Sequence, residues 1–234
     1  MKKCCFLFCF IFLCFYSNAQ MRLGVKAGYN NSTGIYDGSN NIRESKSING
    51  LQVGIFAEKT IIGSLKLNSN LLFTQKGNYV DYTSKTTPQD HYDVRTYRLN
   101  YLEGDIAVSY KINTGRKSGV KLGIGPYVAF GLSGKETGSF NWFGNKGDIS
   151  RKVKFSNKKA TVFNQTNFSP FEWGLNFKGS FVYKKYMLYV NYGRGLGSRV
   201  LRKYAGNTSG NEFGDYESDT KNSVISLGLG YYLR

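Results

Sequence analysis

Beyond Cys14 this chain of 234 residues contains no cysteine, and the other three, Cys4, Cys5 and Cys9, lie before it. Nothing after residue 14 can therefore form a disulfide framework, a thiolate nucleophile or a cysteine metal site. There is one histidine, His91, in a polar stretch beside Asp90 and Asp93. One histidine with scattered carboxylates is a poor match to a metal centre. It also leaves no Ser–His–Asp set to argue. Proline is scarce, with three residues in all, so little interrupts extended pairing. No stretch after Gln20 shows a helical apolar period. The one long apolar run, Cys4 to Tyr16, is too short for a membrane helix, which needs ~20 residues.

That run reads as a secretory signal. Lys2 and Lys3 form a basic start, and Ser17 and Ala19 place small residues at −3 and −1 of a cleavage site. The expected domains are 1–19 as signal peptide and 20–234 as one β-barrel domain. A lipoprotein cleavage before Cys14 fits poorly, because Phe12 and Leu13 stand where small residues belong. The net charge of +17 falls to +15 without Lys2 and Lys3. An exported chain rarely meets nucleic acid, so lipopolysaccharide and phospholipid headgroups are the expected anionic neighbours.

What is abundant is glycine, tyrosine and phenylalanine, at 28, 18 and 17 residues, and apolar–polar alternation that runs through eight segments. Leu23, Val25, Ala27 and Tyr29 oppose Lys26. Leu51, Val53, Ile55 and Ala57 oppose Glu58. Leu65, Leu67, Leu71 and Phe73 oppose Lys66 and Lys76. Leu102, Ile106, Val108, Tyr110 and Ile112 oppose Glu103, Asp105 and Lys111. Val120, Leu122, Ile124, Val128 and Phe130 oppose Lys121. Trp173, Leu175, Phe177 and Phe181 oppose Glu172 and Lys178. Leu188, Val190 and Tyr192 form the seventh apolar face, and Ile225, Leu227, Leu229, Tyr231 and Leu233 the eighth. Period two over such lengths predicts strands.

The connections alternate too. Tight turns are expected near Thr60–Ser64, Asn113–Ser118 and Lys184–Lys185. Long polar loops are expected near Gly34–Asn49, Ser84–Arg95, Lys135–Phe168 and Arg199–Lys221. Short turns on one side and long loops on the other are the pattern of an outer-membrane barrel. A soluble barrel or sandwich would show the same alternation with its apolar face inside. Apolar faces of four or five residues match membrane strands of ~9–11 residues, and 16% aromatics suit interfacial girdles. The expected fold is all-β: an eight-stranded antiparallel up-and-down transmembrane barrel. Its lumen should be just filled by side chains.

Several motifs occur in an order that resembles the PorT-like outer-membrane β-barrel family, often labelled "porin family". They are Gly24-Val25-Lys26-Ala27-Gly28-Tyr29-Asn30, Gln75-Lys76-Gly77, Leu99-Asn100-Tyr101-Leu102-Glu103, Gly125-Pro126-Tyr127, Tyr192-Gly193-Arg194-Gly195-Leu196 and Gly230-Tyr231-Tyr232. The resemblance implies an eight-stranded outer-membrane barrel and an association with protein secretion, with an envelope protein as a partner.

Two groups of residues are site candidates. Lys26, Lys76, Glu103, Asp105, Lys111, Lys121, Glu172 and Lys178 fall on the polar faces and are expected to pair within the lumen, since isolated buried charges are costly. Glu103 and Asp105, ~7 Å apart on one strand face, could be an acid–base couple, but a filled barrel offers no cleft. Lys146, Arg151, Lys152, Lys154, Lys158 and Lys159 lie in the third long connection among Phe140, Trp142, Phe143, Phe155 and Phe163, with Arg199, Arg202 and Lys203 nearby in the fourth. Such cations suit phosphates of lipopolysaccharide or an anionic partner. Arg151–Val162 is expected to prolong the strands as a hairpin. Gly123-Ile124-Gly125 and Gly193-Arg194-Gly195 precede no helical pattern, so neither reads as a phosphate loop. No cofactor is expected. The function this supports is a non-enzymatic structural or interaction barrel, with a narrow solute channel as the alternative.

Overall fold

The computed structural model describes residues 21–36, 44–83, 92–142, 144–156, 167–197, 199–202 and 216–233. Among them every regular element is a strand: β1 (Met21–Tyr36), β2 (Glu44–Ile62), β3 (Leu65–Asp81), β4 (Tyr92–Asn113), β5 (Ser118–Trp142), β6 (Asn145–Phe155), β7 (Asn167–Phe168), β8 (Phe171–Tyr183), β9 (Tyr186–Gly197), β10 (Arg199–Arg202) and β11 (Tyr216–Tyr232). The expected signal peptide and His91 lie outside the described residues.

Eight strands close a ring of antiparallel pairs, β1–β2–β3–β4–β5–β8–β9–β11. The last strand returns to the first along the whole run from Gly24 opposite Tyr232 to Tyr36 opposite Thr220. No edge is left to expose unpaired backbone groups, which hydrocarbon could not satisfy. The expected eight alternating segments are the cores of these eight strands.

The ring turns its apolar face outward. Leu71 is 47% exposed and Leu227 56%, and Ile55, Leu122 and Leu229 point out with them. In water such a continuous apolar belt would aggregate; around a barrel it is the lipid contact. Phe130, Phe171 and Trp173 edge the belt toward the long connections, and Tyr110, Tyr183, Tyr186 and Tyr231 edge it at the short turns.

The three tight turns stand where alternation breaks. Gly63 and Lys184 each begin a two-residue turn with φ near +52°. Glycine adopts that conformation freely; lysine does not.

The long connections are shorter than their sequence suggests. The third is no loop over 135–156. The far half of β5 pairs with β6 from Gly134 opposite Val153 to Trp142 opposite Asn145. The hairpin thus starts well before Arg151, because alternation there is masked by glycines and by polar residues on both faces. β6 then pairs in parallel with β7, while β7 pairs antiparallel with β10 and β10 antiparallel with β11. Beyond the belt, β6, β7 and β10 take the places of β8 and β9. They close a collar around the loop end of the barrel.

Candidate functional site

Alternation sends the polar residues of every membrane strand into the lumen, and the pairing register decides which of them meet. Lys76 of β3 reaches Glu103 of β4 at 2.7 Å and Glu172 of β8 at 3.3 Å. Glu172 also accepts from the Tyr127 hydroxyl at 2.6 Å and from Asn222 Nδ2 at 2.5 Å. Asn176 Nδ2 donates to Glu103 at 3.4 Å. One ammonium and two carboxylates, almost fully buried, are therefore tied by hydrogen bonds to β3, β4, β5, β8 and β11. The network bridges the lumen from wall to wall.

Two further groups lie nearer the turn end. Lys178 of β8 pairs with Asp105 of β4, whose Oδ1 also accepts from Asn70 Nδ2 at 2.7 Å. Lys121 of β5 pairs with Glu58 of β2 and donates to the Tyr232 hydroxyl at 2.7 Å. Tyr232 in turn donates to Glu58 at 2.9 Å, and the Arg22 guanidinium lies 3.7 Å over its ring. Lys26 is buried with its ammonium 4.8 Å from the centre of the Tyr189 ring, a cation–π contact. Among the described residues no carboxylate forms an ion pair with it. The remaining void here, lined by Lys26, Asn70, Lys178 and Tyr189 among others, is about 40 Å³, room for only a few waters.

Lys111 stands apart from these groups. It opposes Lys121 across β4 and β5 but sits at the mouth, where with Arg22, Arg116, Lys117, Lys184 and Lys185 it lines a bowl of about 910 Å³. Among the described residues no acidic side chain lines that bowl.

The collar repeats the inward logic with an added apolar layer. Tyr97, Leu99, Tyr101, Val153 and Phe168 form a buried cluster with Tyr127 and Val80. Gly131 makes room for it, since a Cβ there would lie 2.2 Å from the Phe155 ring. Above sits Glu136, fully buried, bound by Arg95 Nη1 at 3.1 Å and Arg151 Nε at 3.2 Å. Arg95 is also forked onto Asp93, with both bonds at 2.7 Å. Arg151, expected as part of an outward basic loop, thus faces inward. Lys146, Lys152 and Lys154 are exposed. Lys158, Lys159, Phe143, Phe163 and Lys203 lie outside the described residues.

Glu58 was placed on a polar face from the sequence, but residue types alone did not single out Tyr127, Asn222, Tyr232 or Glu136 as members of these groups. Their signal was inward parity on strands already recognised, and for Glu136 on a strand read as loop. Among the described residues no three acidic, histidine or cysteine side chains converge as a metal set.

A closed antiparallel ring with lipid-facing apolar residues and polar residues turned inward defines the class of outer-membrane β-barrels. The chain belongs to the family of outer membrane protein beta-barrel domains, whose model matches residues 16–199. Its place is the outer membrane. Among solved structures, the outer membrane protein OprG from Pseudomonas aeruginosa is similar, at 13% identity and a TM-score of 0.51, covering 92% of this chain and 97% of that one. Ail, the attachment invasion locus protein of Yersinia pestis, aligns at 10% identity and a TM-score of 0.37, covering 92% and 99%. No curated protein sequence matches the chain.

Proposed function

We propose that this protein is a non-enzymatic interaction barrel: a sealed outer-membrane cylinder that holds a basic collar and loops toward anionic surfaces and partners outside. The observation that carries this is the Lys76–Glu103–Glu172 bridge, which crosses the lumen below the buried apolar cluster of the collar. Charges committed to one another inside a barrel act as its core. The expected neighbours are outer-membrane lipid and lipopolysaccharide. The PorT-like motifs support a docking role in protein secretion with an envelope partner, for which residues 1–19 would act as the export signal. Planar-bilayer recording of the purified barrel tests the seal: silence is expected, and stable single-channel steps would sink it. A deletion strain should then lose secreted proteins from its medium if the secretion role holds.

A narrow anion channel is the second reading. The six cations around the turn-end bowl favour it, and the same recording, made with chloride gradients, decides between the two.

A further inference from the structure

Three cations stand in direct cross-strand register on the outer face of the collar. Arg98 of β4 lies opposite Lys135 of β5, and Lys135 lies opposite Lys152 of β6. All three are exposed, while their chain neighbours Tyr97, Leu99, Glu136 and Val153 are buried. Like charges directly opposite one another on a sheet destabilise it. On the inward face of the same strands the opposite rule holds, for Arg95 and Arg151 share Glu136 and Arg95 also pairs with Asp93. Among the described residues no carboxylate forms an ion pair with Arg98, Lys135 or Lys152. Lys154, two residues along the same face of β6, adds a fourth positive charge toward the membrane.

The height of this row fits one ligand chemistry. Leu102 opposes Phe130 on the same outer face, and both belong to the exposed apolar belt. Arg98 is four residues beyond Leu102, ~13 Å along the strand at ~3.3 Å per residue. Leu132 is the extra residue of a bulge between the two levels, a feature that bends and re-aims a strand. Acyl chains packed on the belt would present their headgroups at the level of the row.

We propose that the row Arg98–Lys135–Lys152 binds the phosphate groups of a phosphorylated glycolipid in the outer leaflet. Arginine offers a fork to a phosphate and lysine a point charge, and the phosphate relieves the repulsion that the register builds in. This rests on the reading above that the loop end faces outward. The site is set on the paired strands β4, β5 and β6.

The full-length mature barrel, in phosphatidylcholine vesicles doped with lipid A, should retain at least tenfold more of that lipid than of its dephosphorylated form. The triple variant Arg98→Gln/Lys135→Gln/Lys152→Gln should lose that preference. A turn-end triple variant, Lys59→Gln/Lys66→Gln/Lys117→Gln, removes the same charge and should keep it. Inorganic phosphate at the lipid's concentration should displace nothing. Equal retention of both lipids by the unaltered chain overturns the proposal even if the triple variant fails to fold, and so does full displacement by inorganic phosphate. A conducting barrel would sink the sealed-lumen reading and leave this row intact.

Discussion

Lys76 pairs with two buried carboxylates at once, so both depend on a single cation. Replacing it with methionine leaves Glu103 and Glu172 buried without their cation. Breaking a buried pair by removing one partner costs ~3–5 kcal/mol. Urea titration of the refolded Lys76→Met barrel should show that loss, whereas Lys46→Met, which breaks an exposed pair with Glu44, should stay within about 0.5 kcal/mol. A loss below about 1 kcal/mol at Lys76 would mean that water reaches the bridge. Parity along each strand was enough to place Lys76, Glu103, Asp105, Lys121, Glu172 and Lys178 on the inward side. Which of them meet depends on the stagger between strands distant in sequence, and no local pattern encodes that. Lys121 therefore pairs with Glu58 across 63 residues, and Lys111, on the same face as Lys121, ends at the mouth.

Strands were legible wherever one face met lipid and the other did not. Leu227→Arg or Leu71→Arg puts a charge into the belt and should cost ~2–4 kcal/mol near the midplane. Asn70→Ala, one residue from Leu71 but facing Asp105, removes a single hydrogen bond worth about 1 kcal/mol. Equal losses in a folding titration would reverse the assignment of faces. The turns offer a finer check. Gly63 and Lys184 share a left-handed backbone at the same turn position, which costs a non-glycine residue ~1–2 kcal/mol. Lys184→Gly should therefore raise the urea midpoint, and Gly63→Lys should lower it. The collar was legible only in part, as a hairpin expected over Arg151–Val162. β7 is two residues long and pairs in parallel with β6, so it has neither the length for a period nor a hairpin turn to announce it. Gly131, Gly134 and Gly138 further blank the alternation of β5, although Gly131 is there because Phe155 occupies the space its side chain would take.

The proposed seal of the molecule as a whole has two parts stacked along its axis, and they can be separated. The ion-pair bridge belongs to the eight-stranded ring. The apolar plug takes Val153, Phe155 and Phe168 from the collar's added strands and Val80, Tyr97, Leu99, Tyr101, Tyr127 and Ala129 from ring strands β3, β4 and β5. β5 pairs with β8 over Ser118–Phe130 without help from β6, so the ring does not need residues 143–168 to close. Replacing that segment with a short Gly/Ser linker should leave a barrel that still shifts on a gel when heated and still sits in the outer membrane. It should also remain silent in planar bilayers, because Lys76, Glu103 and Glu172 lie below the cut. If the shortened barrel conducts, the plug rather than the bridge is the seal. The lumen would then be a gated path whose collar is the gate, and the basic bowl at the turn end would become its second mouth.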